Sequence, residues 1–155
     1  MPKYKEYKHN ETNKAIEYGT KEYNDTLALR NKVMRIPLGL DIYKEDFSCE
    51  KDSIIIGMFD GKDLLGVGVM SHNNNCYKIE YLCIDSTIQS CGIGGSLLER
   101  LEDIAKQNGA IKISMDARVS AKTFYLRHGY QAVGDIFLLK HAPVEHIVME
   151  KYFEI

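Results

Sequence analysis

Tryptophan is absent from this chain of 155 residues, which also has only three prolines and four cysteines. The cysteines form no CxxC pair and have no histidine at ligand spacing, so neither a zinc site nor a disulfide framework is expected. No apolar run reaches the length of a membrane span, and the polar N-terminal residues do not resemble a signal peptide. The formal net charge is -2, whereas proteins that bind nucleic acids usually have an excess of basic residues. We therefore expect a cytoplasmic protein that binds neither membrane nor nucleic acid.

The remaining composition fits one globular domain. A chain of this length can bury a substantial core, and no internal repeat or low-complexity linker divides it. Residues 1–14 are polar and rich in lysine, which is typical of an N-terminal tail. The predicted organisation is a tail over residues 1–14 and a single domain over residues 15–155.

Periodicity and turn signals predict an α+β fold of mixed, three-layer type. Asp60-Gly61 separates two apolar runs and predicts a hairpin, so the strands around it form an antiparallel meander. The strand after the crossover helix should lie parallel to the strand before it. The predicted elements, in chain order, are a strand at 15–20, a helix from Asn24 or Asp25 to Pro37, a short helical piece at 41–47, strands at 53–59, 64–70 and 77–84, a helix after Gly92, a strand at 110–115, a helix at 121–128, and strands at 130–137 and 144–153.

A glycine-rich turn lies between strand 77–84 and the helix that follows it. Its sequence is QSCGIGG, residues 89–95, and apolar residues at helical spacing come next, among them Leu97, Leu98 and Leu101. The first turn of a helix has free N–H groups, and glycine lets a phosphate approach the main chain closely. The pattern predicts a phosphate site, and the alternative is a tight turn that binds nothing.

Two familiar nucleotide motifs fit this turn poorly. A P-loop requires a lysine followed by Ser or Thr after its last glycine, whereas Ser96 and Leu97 follow Gly95. A dinucleotide-binding fingerprint requires glycine at the position of Leu97. Asp116 lies at a suitable distance along the sequence to bind the ribose. However, a dinucleotide-binding fold usually begins with the glycine motif, whereas here the antiparallel meander precedes it. A nicotinamide-dependent oxidoreductase is therefore the least favoured of the functions considered.

The strand and turn together resemble the central motif of the GNAT superfamily of acetyl-CoA-dependent N-acetyltransferases. The matching run is Ile79-Glu80-Tyr81-Leu82-Cys83-Ile84, followed by Gln-x-x-Gly-x-Gly from Gln89 to Gly94. Downstream, Ala121-Lys122-Thr123-Phe124-Tyr125 with Gly129-Tyr130 resembles the family's A-x-x-F-Y-x-x-x-G-Y/F segment. Two motifs in the expected order are more specific than one glycine turn. The resemblance implies a mostly antiparallel central sheet with one splayed parallel strand pair, flanked by helices.

The resemblance also implies a cofactor site for acetyl-CoA as co-substrate, without a metal. The cofactor would enter between strands 77–84 and 110–115, and the free backbone of the first strand would bind its pantetheine arm. Main-chain N–H groups of the turn would bind the pyrophosphate, with a hydroxyl from Ser96. The implied cofactor-binding residues are Leu82, Cys83, Ile84, Gln89, Ser90, Cys91, Gly92, Ile93, Gly94, Gly95, Ser96, Arg118 and Tyr125.

Two residues match positions that supply catalytic groups in the family. Glu80 would be the base for the amine, directly or through water, and simple alternation places it on the same strand face as Leu82 and Ile84. Tyr125 would be the acid for the departing CoA thiolate. The alternatives are a packing or surface glutamate and a core tyrosine.

Several expectations concern the acyl acceptor. Arg118 replaces the asparagine of many relatives, and it would contact a phosphate or an acceptor carboxylate, or pair with Asp116. His146 could face the acceptor, but a structural histidine is the more common case. The segment Asp41 to Asp52 is acidic, which would suit a cationic amine, although such runs usually face solvent. By resemblance, acceptor specificity comes from the first two helices and the loop between the closing strands.

The resulting hypothesis is an N-acetyltransferase that acts on a small-molecule or peptide amine in a ternary complex. A homodimer is expected by analogy with the family. The alternative from another functional class is a CoA-binding module that senses acyl-CoA without turnover. Nothing in the sequence identifies the amine.

Overall fold

The computed structural model describes residues 11–88 and 92–154, and within these residues seven strands and three α-helices form one sheet with helices on both faces. No helix in this described part is long and apolar enough to cross a membrane. The strands are β1 (Glu11–Ala15), β2 (Ile54–Asp60), β3 (Asp63–Asn73), β4 (Cys76–Ile84), β5 (Lys112–Arg118), β6 (Gln131–Leu138) and β7 (Glu145–Tyr152), and the helices are α1 (Lys21–Met34), α2 (Ile93–Gln107) and α3 (Lys122–Arg127).

The sheet has the strand order β1-β2-β3-β4-β5-β7-β6. All neighbouring strands run antiparallel except β4 and β5, which are parallel and connected through α2. This confirms the predicted mixed sheet with one parallel pair. It does not fit a dinucleotide-binding fold, whose strands are mostly parallel.

Each face of the sheet has its own hydrophobic cluster. The cluster on the α2 and α3 face includes Leu97, Leu98 and Leu101 of α2, packed on buried residues of β2 to β5 and β7. The cluster on the other face includes Leu29 of α1 together with Val67 and Val69 of β3. Alternate residues of the central strands thus face one helix layer or the other, which is the three-layer arrangement.

The early part of the chain differs from the prediction in two places. The first strand begins at Glu11, inside the predicted tail, because residues 11–15 pair with β2. Thr20, and not Asn24 or Asp25, caps α1 by accepting a hydrogen bond from the Tyr23 N–H. The short helical piece predicted at 41–47 is present as a 3₁₀ turn at Ile42–Lys44, between two further 3₁₀ helices at Ile36–Leu38 and Ser48–Asp52.

Local side-chain hydrogen bonds explain these short turns. The Asp41 carboxylate accepts from the Tyr43 N–H at 3.0 Å, and the Asp46 carboxylate accepts from the Ser48 N–H at 2.9 Å. Aspartates that bind the backbone two residues ahead close a turn and compete with a longer helix. Two acidic residues of this segment therefore have structural roles.

Candidate active site

β4 and β5 separate along their length. They pair from Cys76 opposite Lys112 to Ile79 opposite Met115, and the pairing then stops, although β4 continues to Ile84 and β5 to Arg118. Residues 82–84 of β4 stay paired with β3 on their other edge. The backbone edge of β4 that faces β5 is therefore open at Leu82, Cys83 and Ile84, as the resemblance implied.

A β-bulge lies where the two strands begin to separate. Val69 of β3 pairs with Tyr81, and the next residue, Met70, pairs with Ile79, so Glu80 is the extra residue of β4. A bulge reverses the alternation of the residues that follow it. Tyr77 and Ile79 belong to the cluster on the α2 face, but Tyr81 and Cys83 belong to the cluster on the α1 face.

The bulge changes the predicted position of Glu80. Leu82 and Ile84 pack on the α2 face, whereas the Glu80 carboxylate accepts a hydrogen bond from Ser71 at 2.7 Å and lies 4.0 Å from Lys78 Nζ. Lys78 alternates with the α2-facing Tyr77 and Ile79, so it lies on the α1 side of the sheet. The expectation that Glu80 shares a face with Leu82 and Ile84 is therefore wrong, because it assumed unbroken alternation.

The N-terminus of α2 lies beside the end of β4. Gly92 has a left-handed backbone with φ of +78° and precedes the first residue of α2, Ile93, without a side-chain cap. A Cβ on Gly94 would lie 3.7 Å from the Ile84 side chain and 3.4 Å from Phe124 of α3. The first turn of α2 thus has open N–H groups close to the separated strands. Gln89, Ser90 and Cys91 lie outside the described residues.

Gly95 permits close packing between α2 and α3. A Cβ at this position would lie 3.1 Å from the His128 ring, which itself lies against Phe124 with ring centroids 4.6 Å apart. A surface cavity of about 670 Å³ opens at this point, and its lining includes Gly92, Gly95, Ser96, Arg127 and His128. The glycine turn therefore borders a space between the helices as well as the gap between the strands.

Tyr125 lies on the same side of the sheet as the glycine turn. Its ring is buried, with ring centroids 5.1 Å from Phe124 and 5.8 Å from Tyr130. Its hydroxyl makes no hydrogen bond with any residue in the described part of the chain. Burial raises the pKa of Tyr125, so the hydroxyl stays protonated at physiological pH.

Cys83 contributes to the gap through its backbone and not through its thiol. The side chain points into the cluster on the α1 face, where its Sγ is 3.9 Å from the Leu29 carbonyl. Burial raises the pKa of this thiol to about 12. A buried, protonated thiol is a poor nucleophile, so a covalent acyl-cysteine at this position is not favoured.

Arg118 ends β5 on the α1 side of the sheet, opposite the glycine turn. Its neighbour Ala117 is buried in the α2-side cluster, so Arg118 faces the other way. Its Nη2 donates to the Met34 carbonyl at 3.0 Å. The predicted pair with Asp116 does not form, since Asp116 pairs with Lys78 at 3.1 Å. Burial, followed by the positive charge of Arg35, lowers the pKa of Arg118.

His146 of β7 is opposite Arg118 in the sheet. The side chain is buried, and its Nδ1 lies 2.6 Å from the Val144 carbonyl, so a neutral ring donates there and keeps Nε2 as an acceptor. Burial lowers the pKa of His146, which favours that neutral ring. The structure therefore places this histidine next to Arg118 and on the same face as Asp116.

Two arginine–glutamate pairs, one buried and one partly buried, lie beneath the acidic segment, and neither was predicted from the sequence. Arg30 of α1 donates to both carboxylate oxygens of Glu50, at 2.9 and 3.0 Å, and its guanidinium lies 4.7 Å from the Tyr81 ring centroid. Arg35 pairs with Glu45 at 2.7 Å and donates to the Tyr81 hydroxyl at 2.9 Å. Glu45 and Glu50 therefore neutralise arginines of the protein itself and are not free to attract a cationic substrate.

The chain is similar to known acetyltransferases in sequence and in fold. The family model described as Acetyltransferase (GNAT) domain matches residues 36–153. YjcF, an uncharacterised N-acetyltransferase of Bacillus subtilis, is 27% identical over 84% of this chain and 92% of its own. The ribosomal-protein-S18-alanine N-acetyltransferase of Escherichia coli is similar in structure, with a TM-score of 0.75 at 14% identity over 94% of this chain and 95% of its own.

A solved complex with the cofactor shows the same fold. A GNAT family acetyltransferase of Elizabethkingia anophelis with acetyl-CoA bound has a TM-score of 0.66 at 16% identity, over 93% of this chain and 99% of its own. At such low sequence identities, the solved structures show only that the fold is shared. The match to the family model establishes the family, because it covers most of the sequence, including both motifs and the two strands that separate. The chain therefore belongs to the GNAT acetyltransferases and is an N-acetyltransferase.

Proposed function

We propose that the protein transfers an acetyl group from acetyl-CoA directly to a primary amine, with both substrates bound at once. The observation that supports this most strongly is the open gap between β4 and β5 beyond Ile79. The open N–H groups of α2 lie next to this gap, and Glu80 and Tyr125 lie on opposite sides of the sheet beside it. A thioester in the gap would lie between a carboxylate and a phenol.

The cofactor would be bound mainly by backbone. The open edge of Leu82, Cys83 and Ile84 would donate to and accept from the amides of the pantetheine arm. The pyrophosphate would bind the N–H groups at the start of α2, where the helix dipole favours an anion. The proposed pyrophosphate residues are Gln89, Ser90, Cys91, Gly92, Ile93, Gly94, Gly95 and Ser96.

The reaction would proceed in one displacement. The acceptor arrives largely as an ammonium ion, and Glu80 takes a proton from it, directly or through a water molecule, to give the neutral amine. The amine nitrogen attacks the thioester carbonyl carbon, a C–N bond forms, and a backbone N–H near Ile84 would stabilise the oxyanion. The C–S bond then breaks, and CoA leaves as the thiolate.

Tyr125 would stabilise that thiolate. Its ring is buried and its hydroxyl has no acceptor among the described residues, so a sulfur in the gap would be its partner. Since burial raises the pKa of Tyr125 well above that of a thiol, hydrogen-bond donation is favoured over complete proton transfer. The proton that finally neutralises CoA can then come from the acetylated amine or from solvent.

Two measurements on the wild-type protein test the proposed function. Acetyl-CoA at 100 times its Kd should stabilise the native state by about 2.7 kcal/mol, which a thermal melt detects. A panel of primary amines should contain at least one that releases free CoA from acetyl-CoA. Stabilisation without release from any amine would support the alternative sensing module, and the absence of both would refute an acyl-CoA site.

Replacing Tyr125 by phenylalanine should lower kcat by roughly 10- to 100-fold, because one hydrogen bond to a developing charge is lost. The KM for acetyl-CoA and the melting temperature should change little, since the hydroxyl has no partner within the described chain. Steady-state kinetics with CoA release measure both constants.

A matched control is Tyr152→Phe, because Tyr152 is an exposed tyrosine on β7. This variant should retain the wild-type kcat. If both variants lose the same activity, or if Tyr125→Phe raises only the KM, the role proposed for Tyr125 would be wrong.

A further inference from the structure

Three arginines lie together on the α1 side of the sheet, but only two have carboxylate partners. Arg30 pairs with Glu50 and Arg35 pairs with Glu45. Among residues 11–88 and 92–154, Arg118 has no ion pair, and the titratable groups that affect it most are Arg35, Cys83 and Tyr81. The group therefore has one uncompensated positive charge.

The carboxylates nearest in the sheet do not supply the missing partner. Asp116, two residues away on the same strand, pairs with Lys78. Glu80 on β4 accepts from Ser71 and lies near the same lysine. A carboxylate for Arg118 would therefore have to come from outside the described chain.

The hydrogen bonding of Arg118 is also incomplete. Nη2 donates to the Met34 carbonyl, but Nε is buried without an acceptor in the described structure. An unpaired buried donor is costly, and native proteins rarely leave one unexplained. Arg30 Nε is similarly unpaired, but its side chain is completely buried between aromatic rings, where no ligand can reach it.

Arg118 is placed where an acceptor would approach. It lies beyond Met115, the last residue of β5 that pairs with β4, so it borders the gap proposed for the thioester. It faces the α1 side, as the Glu80 carboxylate does, and away from the glycine turn. A group bound to Arg118 would therefore belong to the amine substrate and not to the CoA pyrophosphate.

We propose that the acyl acceptor is an amine that also carries a carboxylate, and that Arg118 binds this carboxylate. This inference rests on the proposed function. A carboxylate matches the single uncompensated charge, and the planar guanidinium offers several donors in the geometry that carboxylates accept. A strongly cationic acceptor is disfavoured, because Glu45 and Glu50 are already neutralised by Arg35 and Arg30.

The test compares acceptors in matched pairs with the wild-type protein and Arg118→Gln. Each pair contains an amino acid and the amide of the same amino acid, and rates are compared at equal concentrations of the neutral amine, because loss of the carboxylate also lowers the pKa of the amino group. For the wild type we expect the carboxylate form to have a kcat/KM roughly 10- to 100-fold higher, the size of a charge-assisted hydrogen bond. Arg118→Gln should lower that ratio to about one, mainly by raising the KM of the acid.

The matched control is Arg100→Gln, which removes the same charge from α2, on the other face of the sheet. It should keep the wild-type ratio. If Arg118→Gln does not fold, Arg118→Lys keeps a cation near the Met34 carbonyl and should show an intermediate ratio. A purely structural role would lower stability without changing the ratio.

Three outcomes would overturn the inference: equal rates of the wild type with acid and amide, an unchanged ratio in Arg118→Gln, or a wild-type ratio in Arg118→Lys. Each of these requires turnover, so each leaves the proposed acetyl transfer intact. If no amine releases CoA and acetyl-CoA does not stabilise the protein, the proposed function fails first, and the carboxylate inference fails with it.

Discussion

Replacing Glu50 by glutamine is expected to lower the free energy of unfolding by about 3–5 kcal/mol, because it leaves the Arg30 charge buried without a counter-ion. The Arg30 side chain is 0% exposed and that of Glu50 is 5% exposed, so water cannot compensate for the lost carboxylate. Tyr23 also donates to Glu50 at 2.8 Å, and this bond would be weakened as well. Chemical denaturation with an unchanged m-value would measure the difference.

Two further variants test whether the loss of stability comes from the unpaired buried charge of Arg30. Glu22→Gln removes a carboxylate from an exposed pair with Lys14 and should cost less than about 1 kcal/mol. The double variant Arg30→Met with Glu50→Leu removes both buried charges and should recover much of the stability that the single change loses. If Glu50→Gln is as stable as the wild type, the stabilising role given to the Arg30–Glu50 pair is wrong.

Replacing Glu80 by glutamine should lower kcat/KM for the amine by about 100-fold at neutral pH, because the base that deprotonates the ammonium ion is lost. The fold should persist, since an amide oxygen can still accept the hydrogen bond from Ser71. The deficit should shrink as the pH approaches the pKa of the acceptor, because the amine then loses its proton without help. A pH profile of kcat/KM for both proteins would show this convergence.

Glu17→Gln is the control, because Glu17 is an exposed glutamate that precedes α1 and lies outside the proposed site. It should match the wild type at every pH. If Glu80→Gln retains full activity, Glu80 is not the base. His146 would then be the next candidate, because burial lowers its pKa and its Nε2 is free to accept a proton when Nδ1 donates to Val144.

The sequence predicted the fold well where local signals agree with the tertiary structure. The Asp60-Gly61 turn, the alternation of the meander and the apolar period of α2 each produce the expected element. The errors fall where a local hydrogen bond decides the outcome. Thr20 caps α1 ahead of the predicted Asn24 or Asp25, because its side chain accepts from the Tyr23 N–H.

The site was predictable only in part. The glycine turn and the Tyr125 segment are contiguous patterns, and the structure brings them together around the end of β4. The bulge at Glu80 leaves no trace in the sequence, because a register shift depends on the pairing with β3. The Arg30–Glu50 pair joins residues 20 positions apart, and nothing in the helical pattern of α1 distinguishes Arg30 from a surface arginine.

Tyr81 has a consequence for engineering. Its hydroxyl accepts from Arg35 and its ring lies beside Arg30, so both ion pairs contact the residue that directly follows the bulge. A mutational library aimed at new acceptors would lose most of its members to misfolding if it varied these three residues. Diversity is better placed at Ile36, Leu40 and Tyr43, whose exposed side chains follow α1 and contribute little to the core.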